Sequence, residues 1–332
     1  MKILKKILSV LLRVVISFAI LIFLFKQIDR QALFGILSHA NMPLLVIAFL
    51  FFFLNYAFCL FRWEMLLRGA GIRLSLKRVI ISIAGGNFFN LFLPSTIGGD
   101  VMRSLDLAAH TKRPHEVVAT VFLDRLSGYT GLVIVAGLAI FFGWNLLQEK
   151  SILLSFVIIA SILAAILVVL FNRFLYSKIN RLLHTPTAGK IRHALIDLHH
   201  EMHIFRHHKG ILANSVILSV LIQAVSPLTF YLIALSLGIK VNIIYFFVFL
   251  PMIGAITLLP ISIGGLGLRD ATTIYFFAKV GVSKDLAFAM SLVAFFFIFI
   301  YAILGGLVYV LTVRHRRIQH HPSRQIHRPY HP

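Results

Sequence analysis

Residues 93–103 read Leu-Pro-Ser-Thr-Ile-Gly-Gly-Asp-Val-Met-Arg, and residues 259–269 read Leu-Pro-Ile-Ser-Ile-Gly-Gly-Leu-Gly-Leu-Arg. Both fit LPxxIGGxxxR, with six matched positions at an offset of 166 in a chain of 332 residues. That agreement at half the chain length points to an internal duplication. Proline ends a helix, because its ring removes an N–H and clashes with the preceding turn. Paired glycines then allow a turn closed to other residues. Each copy therefore predicts a broken helix whose second half begins with free N–H groups and the positive end of its dipole, a ready anion site. Arg103 and Arg269 stand about one turn further on, where a guanidinium can fork onto a phosphate. The plain alternative is a packing corner with snorkelling arginines, but packing alone does not explain an arginine in both copies.

The flanking sequence says where these turns lie. The chain is 59% hydrophobic with mean hydropathy +0.93, and only 13% of its residues are charged, about half the share of a soluble domain. Eight apolar runs can be marked: 7–25 (interrupted by Arg13), 42–61, 79–99, 117–143, 151–171, 211–238, 241–268 and 286–313. Each has the roughly 20 residues that cross about 30 Å of hydrocarbon as a helix. The first follows Lys2, Lys5 and Lys6, yet has no small-residue cleavage site before Lys26, so it reads as a retained anchor. Runs 79–99 and 241–268 hold the two motifs and are dense in breakers, among them Gly85, Gly86, Pro94, Pro251, Gly254 and Pro260. Broken backbone at membrane depth is tolerated where protein or a wet cavity surrounds it.

Basic residues tend to stay on the cytoplasmic side of a membrane, which separates two topologies. With Arg13, Arg103, Arg125 and Arg269 set aside as intramembrane, 28 basic residues remain. Eight simple crossings from a cytoplasmic N-terminus divide them 15 inside and 13 outside. Treating the motif runs as re-entrant hairpins, the first opening inward and the second outward, gives 22 and 6. The expected fold is thus an all-α polytopic membrane protein with about six full transmembrane helices, two re-entrant broken-helix hairpins and an inverted internal repeat. Both termini would face the cytoplasm across the cytoplasmic (inner) membrane. Residues 1–313 form a single domain on this reading, with halves 1–171 and 211–313 joined by the basic cytoplasmic segment 172–210. Residues 314–332, with five Arg and five His, read as a disordered basic tail.

The net charge of +21 sits between apolar runs and so points to anionic lipid rather than nucleic acid. Cys59 is the only cysteine, which excludes an intrachain disulfide and a multi-cysteine metal site. His199, His203 and His207 share a helical face, but His200-Glu201 is followed by Ile204 where HExxH requires His. Neither metal nor cofactor is expected. Gly189-Lys190 lacks the first glycine and the Ser/Thr of a phosphate-binding loop, so ATP hydrolysis by this chain is not expected.

Charged residues inside apolar runs mark the candidate site. Asp124 and Arg125 fall within run 117–143. A lone charge at the bilayer centre costs about 2.5–3.5 kcal/mol on insertion scales, so each needs a partner or a wet cavity. Neighbours on a helix point about 100° apart, so Asp124 is expected to balance Arg103 or Arg269 while Arg125 faces the ligand. Structural ion pairing at a helix end is the alternative. Asp100 reads as an N-cap or a contact for a hydroxylated or cationic headgroup. Asn87 and Asn90, three apart, either line the same cavity or bond between helices. The substrate-binding set is therefore Gly98, Gly99, Asp100, Arg103, Asp124, Arg125, Gly264, Gly265, Arg269, Asn87 and Asn90.

GNFFNLFLPSTIGGDVMR at 86–103, FLDRLSG at 122–128 and LLPISIGGLGLRD at 258–270 resemble the lysylphosphatidylglycerol synthase transmembrane-region family. The family includes the flippase half of the bacterial multiple peptide resistance factor and stand-alone UPF0104-type membrane proteins. The resemblance spans roughly 7–313 and implies a lipid flippase or transporter moving a phosphate-containing lipid or a polyprenyl-linked headgroup between leaflets. The full-length resistance factor also carries a soluble aminoacyl-transferase domain, and with 19 residues after the last apolar run none is expected here. Enzymatic activity is therefore not expected. The alternatives are an intramembrane lipid-modifying transferase using Asp100 and Asp124, or a scaffold for a lipid-biosynthetic enzyme. Partners would be an anionic phospholipid or lipid-linked substrate and the membrane itself.

Overall fold

A computed structural model describes residues 15, 17–93, 98–146, 150–171, 205, 208–257, 262 and 265–319. The histidine-rich stretch with His199, His203 and His207, as well as Gly264, Pro94 and Pro260, lies outside the described residues. The described chain is helical throughout. Its elements are α1 (Ser17–Gln27), α2 (Arg30–Ser38), α3 (Met42–Gly69), α4 (Leu76–Asn90), α5 (Gly98–Thr111), α6 (Pro114–Phe142), α7 (Lys150–Phe171), α8 (Lys209–Ser236), α9 (Ile243–Thr257), α10 (Leu268–Ala278) and α11 (Lys284–Gln319). Four are long and apolar enough to cross a membrane: α3, α6, α8 and the Lys284–Thr312 part of α11. Shorter apolar helices occupy Ser17–Gln27, Leu153–Val168 and Ile243–Thr257. The chain is an all-α, polytopic, integral membrane protein.

The two breaker-rich runs fold as helical hairpins. α4 has 15 residues, about 22 Å at 1.5 Å per residue, which is short of a 30 Å core. α5 returns along it antiparallel: Ser82 Oγ donates to the Arg103 carbonyl at 3.2 Å, and Arg78 reaches Asp106 at 2.7 Å. The helices touch backbone to backbone at the tip, where a Cβ on Gly86 would lie 2.8 Å from the Gly99 carbonyl oxygen. Only glycine permits that approach. The base is tied by Arg113, which donates to the carbonyls of Gly71 at 3.2 Å and Ala70 at 3.1 Å. Both ends of this hairpin thus lie at one end of the molecule, beside Gly69 and Ile211.

The second hairpin opens at the opposite end. α9 and α10 also run antiparallel, with the rings of Phe246 and Phe277 4.9 Å apart near the base. That base lies with Asn41, whose N–H donates to the Ser236 carbonyl at 2.8 Å, and with Asp29, whose N–H reaches Asp285 at 3.3 Å. Between these ends α3 and α8, each of 28 residues, pack antiparallel. The Asn41–Ser236 bond is followed by Asn55 Nδ2 to the Ile222 carbonyl at 2.9 Å and Arg62 Nη1 to Ser219 Oγ at 2.8 Å. Long helix, two short helices, long helix is therefore the order in α3–α6 and again in α8–α11.

Three element boundaries depart from the sequence reading, one of them being α11, which stays helical to Gln319, past the run ending at 313. The apolar run ending at residue 61 continues as helix to Gly69, because Trp63, Leu66 and Leu67 extend its buried face. Arg62 and Glu64 are tolerated there through partners, Glu64 accepting from Arg68 one turn on. In the second motif α10 begins at Leu268 after Gly265 and Gly267, both at φ 77°. Arg269 consequently sits in the first turn of α10 rather than one turn inside, whereas Arg103 lies in the second turn of α5.

Candidate functional site

A cavity of 370 Å³ lies between the first hairpin, α3, α6 and α8, within the usual size of a small-molecule site. Its charged lining is Arg62 from α3, Asp100 and Arg103 from α5, and Asp124 and Arg125 from α6. Arg125 is eleven residues along the 29-residue α6, about 16 Å from the helix start at 1.5 Å per residue.

These five residues form one chain of ion pairs. Arg62 Nε meets Asp124 Oδ1 at 2.7 Å, and Arg103 Nη2 meets Asp124 Oδ2 at 2.8 Å. Arg103 Nη2 also meets Asp100 Oδ1 at 2.9 Å, and Arg125 Nε meets Asp100 Oδ2 at 2.5 Å. Three guanidiniums share two carboxylates, leaving one positive charge on the lining. The chain is most buried at Arg62 and Asp124 and most open at Arg125, whose side chain is 35% exposed. Arg103 lies over the Trp63 ring at 4.5 Å from its centroid, a favourable cation–π placement. Arg103 Nε is buried with no hydrogen-bond partner among the described residues. Trp63 is fixed by its own Nε1–H, which donates to Thr120 Oγ1 at 3.2 Å.

The hairpin tip faces this cavity, but the Gly99 amide is already committed. Gly99 N–H donates to Asn90 Oδ1 at 2.6 Å, and Gly98 begins the helix beside it. In the second motif Gly267 N–H donates to Asp270 Oδ2 at 3.0 Å. The amides expected to be free at the motif turns are thus bonded within the protein at these two positions. Charge at the site comes from arginine side chains.

Arg269 lies apart from this chain. It lines a second cavity of 170 Å³ with Leu266, Phe295 and Ile298, and Asn87 and Asn90 line both cavities. Its partners are Asp270 Oδ1 at 3.2 Å and Ser291 Oγ at 3.3 Å, with the Phe295 ring 5.3 Å away. Gly265 is buried beside Thr257 at the second tip. The expectation that Asp124 balances Arg103 or Arg269 resolves onto Arg103, and Asp100 holds Arg103 and Arg125.

Sequence reasoning missed Arg62, Trp63, Ser219, Tyr56 and Tyr301. The signal for Arg62 was the Glu64–Arg68 spacing of four, which supports a helix continuing past residue 61. Nothing local marked Ser219, since its role comes from the antiparallel contact of α3 and α8. Among the described residues no group of three or more His, Cys, Asp or Glu could hold a metal ion.

The family described as lysylphosphatidylglycerol synthase TM region matches residues 10–306. A UPF0104 membrane protein of Pyrococcus horikoshii is 23% identical, covering 92% of this chain and 97% of that protein. A second UPF0104 membrane protein, from Methanothermobacter thermautotrophicus, is 24% identical over 73% of this chain and 77% of its own length.

Proposed function

Because the chain belongs to the lysylphosphatidylglycerol synthase transmembrane-region family, we propose that it is a lipid flippase or transporter moving a phosphate-containing lipid headgroup between leaflets. The observation that carries this reading is the unequal charge chain of three arginines and two aspartates lining one cavity. A purely structural network would balance, since each uncompensated buried charge is costly. Here the surplus positive charge faces a cavity, and the most exposed member, Arg125, is the first guanidinium a headgroup meets. The lipid tails remain in the bilayer while the headgroup enters.

The topology supports this reading. The two halves are an inverted repeat giving six full crossings and two re-entrant hairpins that enter from opposite faces. Such repeats place a substrate site at midplane and expose it to each side in turn by rocking one half against the other. The basic excess puts both termini in the cytoplasm at the inner membrane, where the basic segments 172–210 and 314–332 lie on anionic lipid. Residues 1–313 act as one transport domain.

Reconstitution into vesicles carrying fluorescent phosphatidylglycerol tests the proposal through the fraction of probe reached by an external quencher. Wild type accelerates probe exchange over protein-free vesicles. Arg103→Ala and Arg269→Ala slow it by about tenfold or more each, as expected when a charge-assisted contact worth about 1.5–3 kcal/mol is lost. Equal exchange with and without protein would falsify the assignment for that lipid class. Monodispersity of each variant separates lost transport from lost fold.

A further inference from the structure

The surfaces along which these helices can slip do not follow the two sequence halves. α4 and α11 belong to different halves, yet their backbones nearly touch. A Cβ on Gly85 of α4 would lie 2.5 Å from the Tyr309 ring, and one on Gly305 of α11 would lie 3.0 Å from the Ala84 carbonyl oxygen. Gly306 faces Phe88, so both glycines of α11 have their nearest neighbours on α4. Together with the Gly86–Gly99 contact at the hairpin tip, this packs α4, α5 and α11 at backbone distance. Bodies packed so closely transmit displacement rather than absorb it, and so move together.

α3, α6 and α8 form a second such set. A Cβ on Gly131 of α6 would fall 2.6 Å from the Ser219 carbonyl carbon of α8, and Gln223 of α8 donates to the Gly128 carbonyl at 3.4 Å. Asn55 and Arg62 fasten α3 to α8 by their bonds to Ile222 and Ser219.

Contacts between the two sets are of another kind. Along α3 and α11 they are ring on ring, from Phe49 on Phe297 with centroids 4.9 Å apart to Tyr56 on Tyr301 at 4.0 Å. Side chains change rotamer faster than helices move, so this seam yields without breaking a backbone hydrogen bond. Between α5 and α6 the contact is a double exchange of charge. α5 carries Asp100 and Arg103, α6 carries Asp124 and Arg125, and each arginine reaches the aspartate of the other helix. The links at either end of the hairpin meet at its base, Gly71 with φ 72° and Lys112 with φ 57°, a left-handed conformation uncommon for lysine. Arg113 joins them through the carbonyls of Ala70 and Gly71. A few element-terminal residues that absorb backbone rotation make up a hinge.

We propose that the moving unit is the first hairpin with α11, pivoting at the hairpin base against α3, α6 and α8, and that the crossed Asp–Arg pairs latch it until an anion takes the arginines. The inference rests on the headgroup reading of the cavity and divides the molecule by packing instead of by sequence half. Parting α5 from α6 deprives Arg103 and Arg125 of one carboxylate each. A phosphate then meets guanidiniums less occupied than in the latched state, and a ligand shifts an equilibrium only through such differential affinity. Phosphatidylcholine, whose ammonium offsets its phosphate, gains less from the exchange.

Pulsed dipolar spectroscopy on the full chain in phosphatidylcholine nanodiscs reads the two sets separately. Cys59 is the only cysteine, so a Cys59→Ser background carries the labels alone. Leu50→Cys with Leu304→Cys reports α3 against α11, and Ile80→Cys with Leu311→Cys reports α4 against α11; all four side chains are exposed. Asp100→Asn cuts one crossed pair and moves the first distance by about 2 Å or more, the scale of helix shifts at interfaces, while the second stays fixed. Arg125→Gln cuts the same pair from α6 and does likewise should Asp100→Asn fold poorly. Phosphatidylglycerol added to the nanodiscs moves the first distance with Asp100 and Arg125 intact.

Equal movement of both distances would overturn the hairpin–α11 unit. A first distance unmoved in both variants would overturn the latch. Phosphatidylglycerol without effect, where the variants do shift the distance, overturns the anion trigger and the headgroup reading with it, while the unit and the latch stand.

Discussion

Asp124→Asn isolates the part of the charge chain that holds the cavity together. Asp124 receives Arg62 at 2.7 Å and Arg103 at 2.8 Å, and the side chains of Asp124 and Arg62 are 7% and 8% exposed. Two unit charges about 4 Å apart interact by about 4 kcal/mol at an effective dielectric constant near 20. Asparagine keeps the shape and one acceptor but removes both attractions. It leaves three guanidiniums facing Asp100 alone. Part of the loss returns as relief from desolvating the carboxylate, and breaking a buried pair from one side typically costs about 3–5 kcal/mol. The expected loss of folding free energy is therefore about 4 kcal/mol. Glu116→Gln removes the partner of Arg113, a pair with side chains 42% and 23% exposed, and should cost less than about 1 kcal/mol because solvent screens it. Reversible unfolding in mixed micelles, or steric trapping in bicelles, measures both. In the double variant with Arg62→Gln, the combined loss should fall short of the sum by about 1–3 kcal/mol, since the two residues touch. Asp124→Asn within 1 kcal/mol of wild type, or strict additivity with Arg62→Gln, would refute the buried chain as a stabilising element.

Gly99→Ala should cost about 3 kcal/mol, the upper range for overpacking, because its Cβ would press on the Gly86 carbonyl oxygen and Asn90; the yield of monodisperse protein and its unfolding midpoint report this. Asn90→Ala removes the acceptor of the 2.6 Å bond from Gly99 N–H and should cost about 1–3 kcal/mol if the amide is left unsatisfied; accelerated hydrogen exchange at Gly99 tests it directly. Gly131→Ala forces α6 from α8, whereas Gly254→Ala meets nothing within 4 Å and should stabilise α9 by up to about 1 kcal/mol. The two substitutions should move the thermal unfolding midpoint in opposite directions.

The hairpins were legible in the sequence because breakers act locally. Proline followed by paired glycine stands where α4 and α5 are parted, although Gly85-Gly86 stays inside α4 and Pro251 inside α9, where packing overrides the local preference. The all-α polytopic architecture was legible for a related reason, since run length and hydropathy are set by the bilayer. Arg62 was not, because it lies at the end of an apolar run where a charge normally marks a loop. What keeps it in α3 is Asp124, 62 positions away, and Ser219, 157 positions away. Counting it with segment 62–78 placed a buried cation among loop charges. The separation of Arg269 from Arg103 was equally hidden. Identical motifs give no indication that the first arginine falls in the second turn of its helix and the other in the first turn. Pairing across helices follows from helix packing, and no local pattern encodes it.

The shortness of the hairpins has an electrical consequence. An α4 of 15 residues is shorter than the hydrocarbon core, so an arginine-lined wall beside it makes the low-dielectric layer thinner than the bilayer. A membrane potential falls mainly across the low-dielectric layer, so a thinner layer concentrates it. A singly charged headgroup crossing that layer experiences the potential over a shorter distance, worth about 2.3 kcal/mol per 100 mV across the whole membrane. The voltage across the membrane then biases which side of that layer an anion occupies.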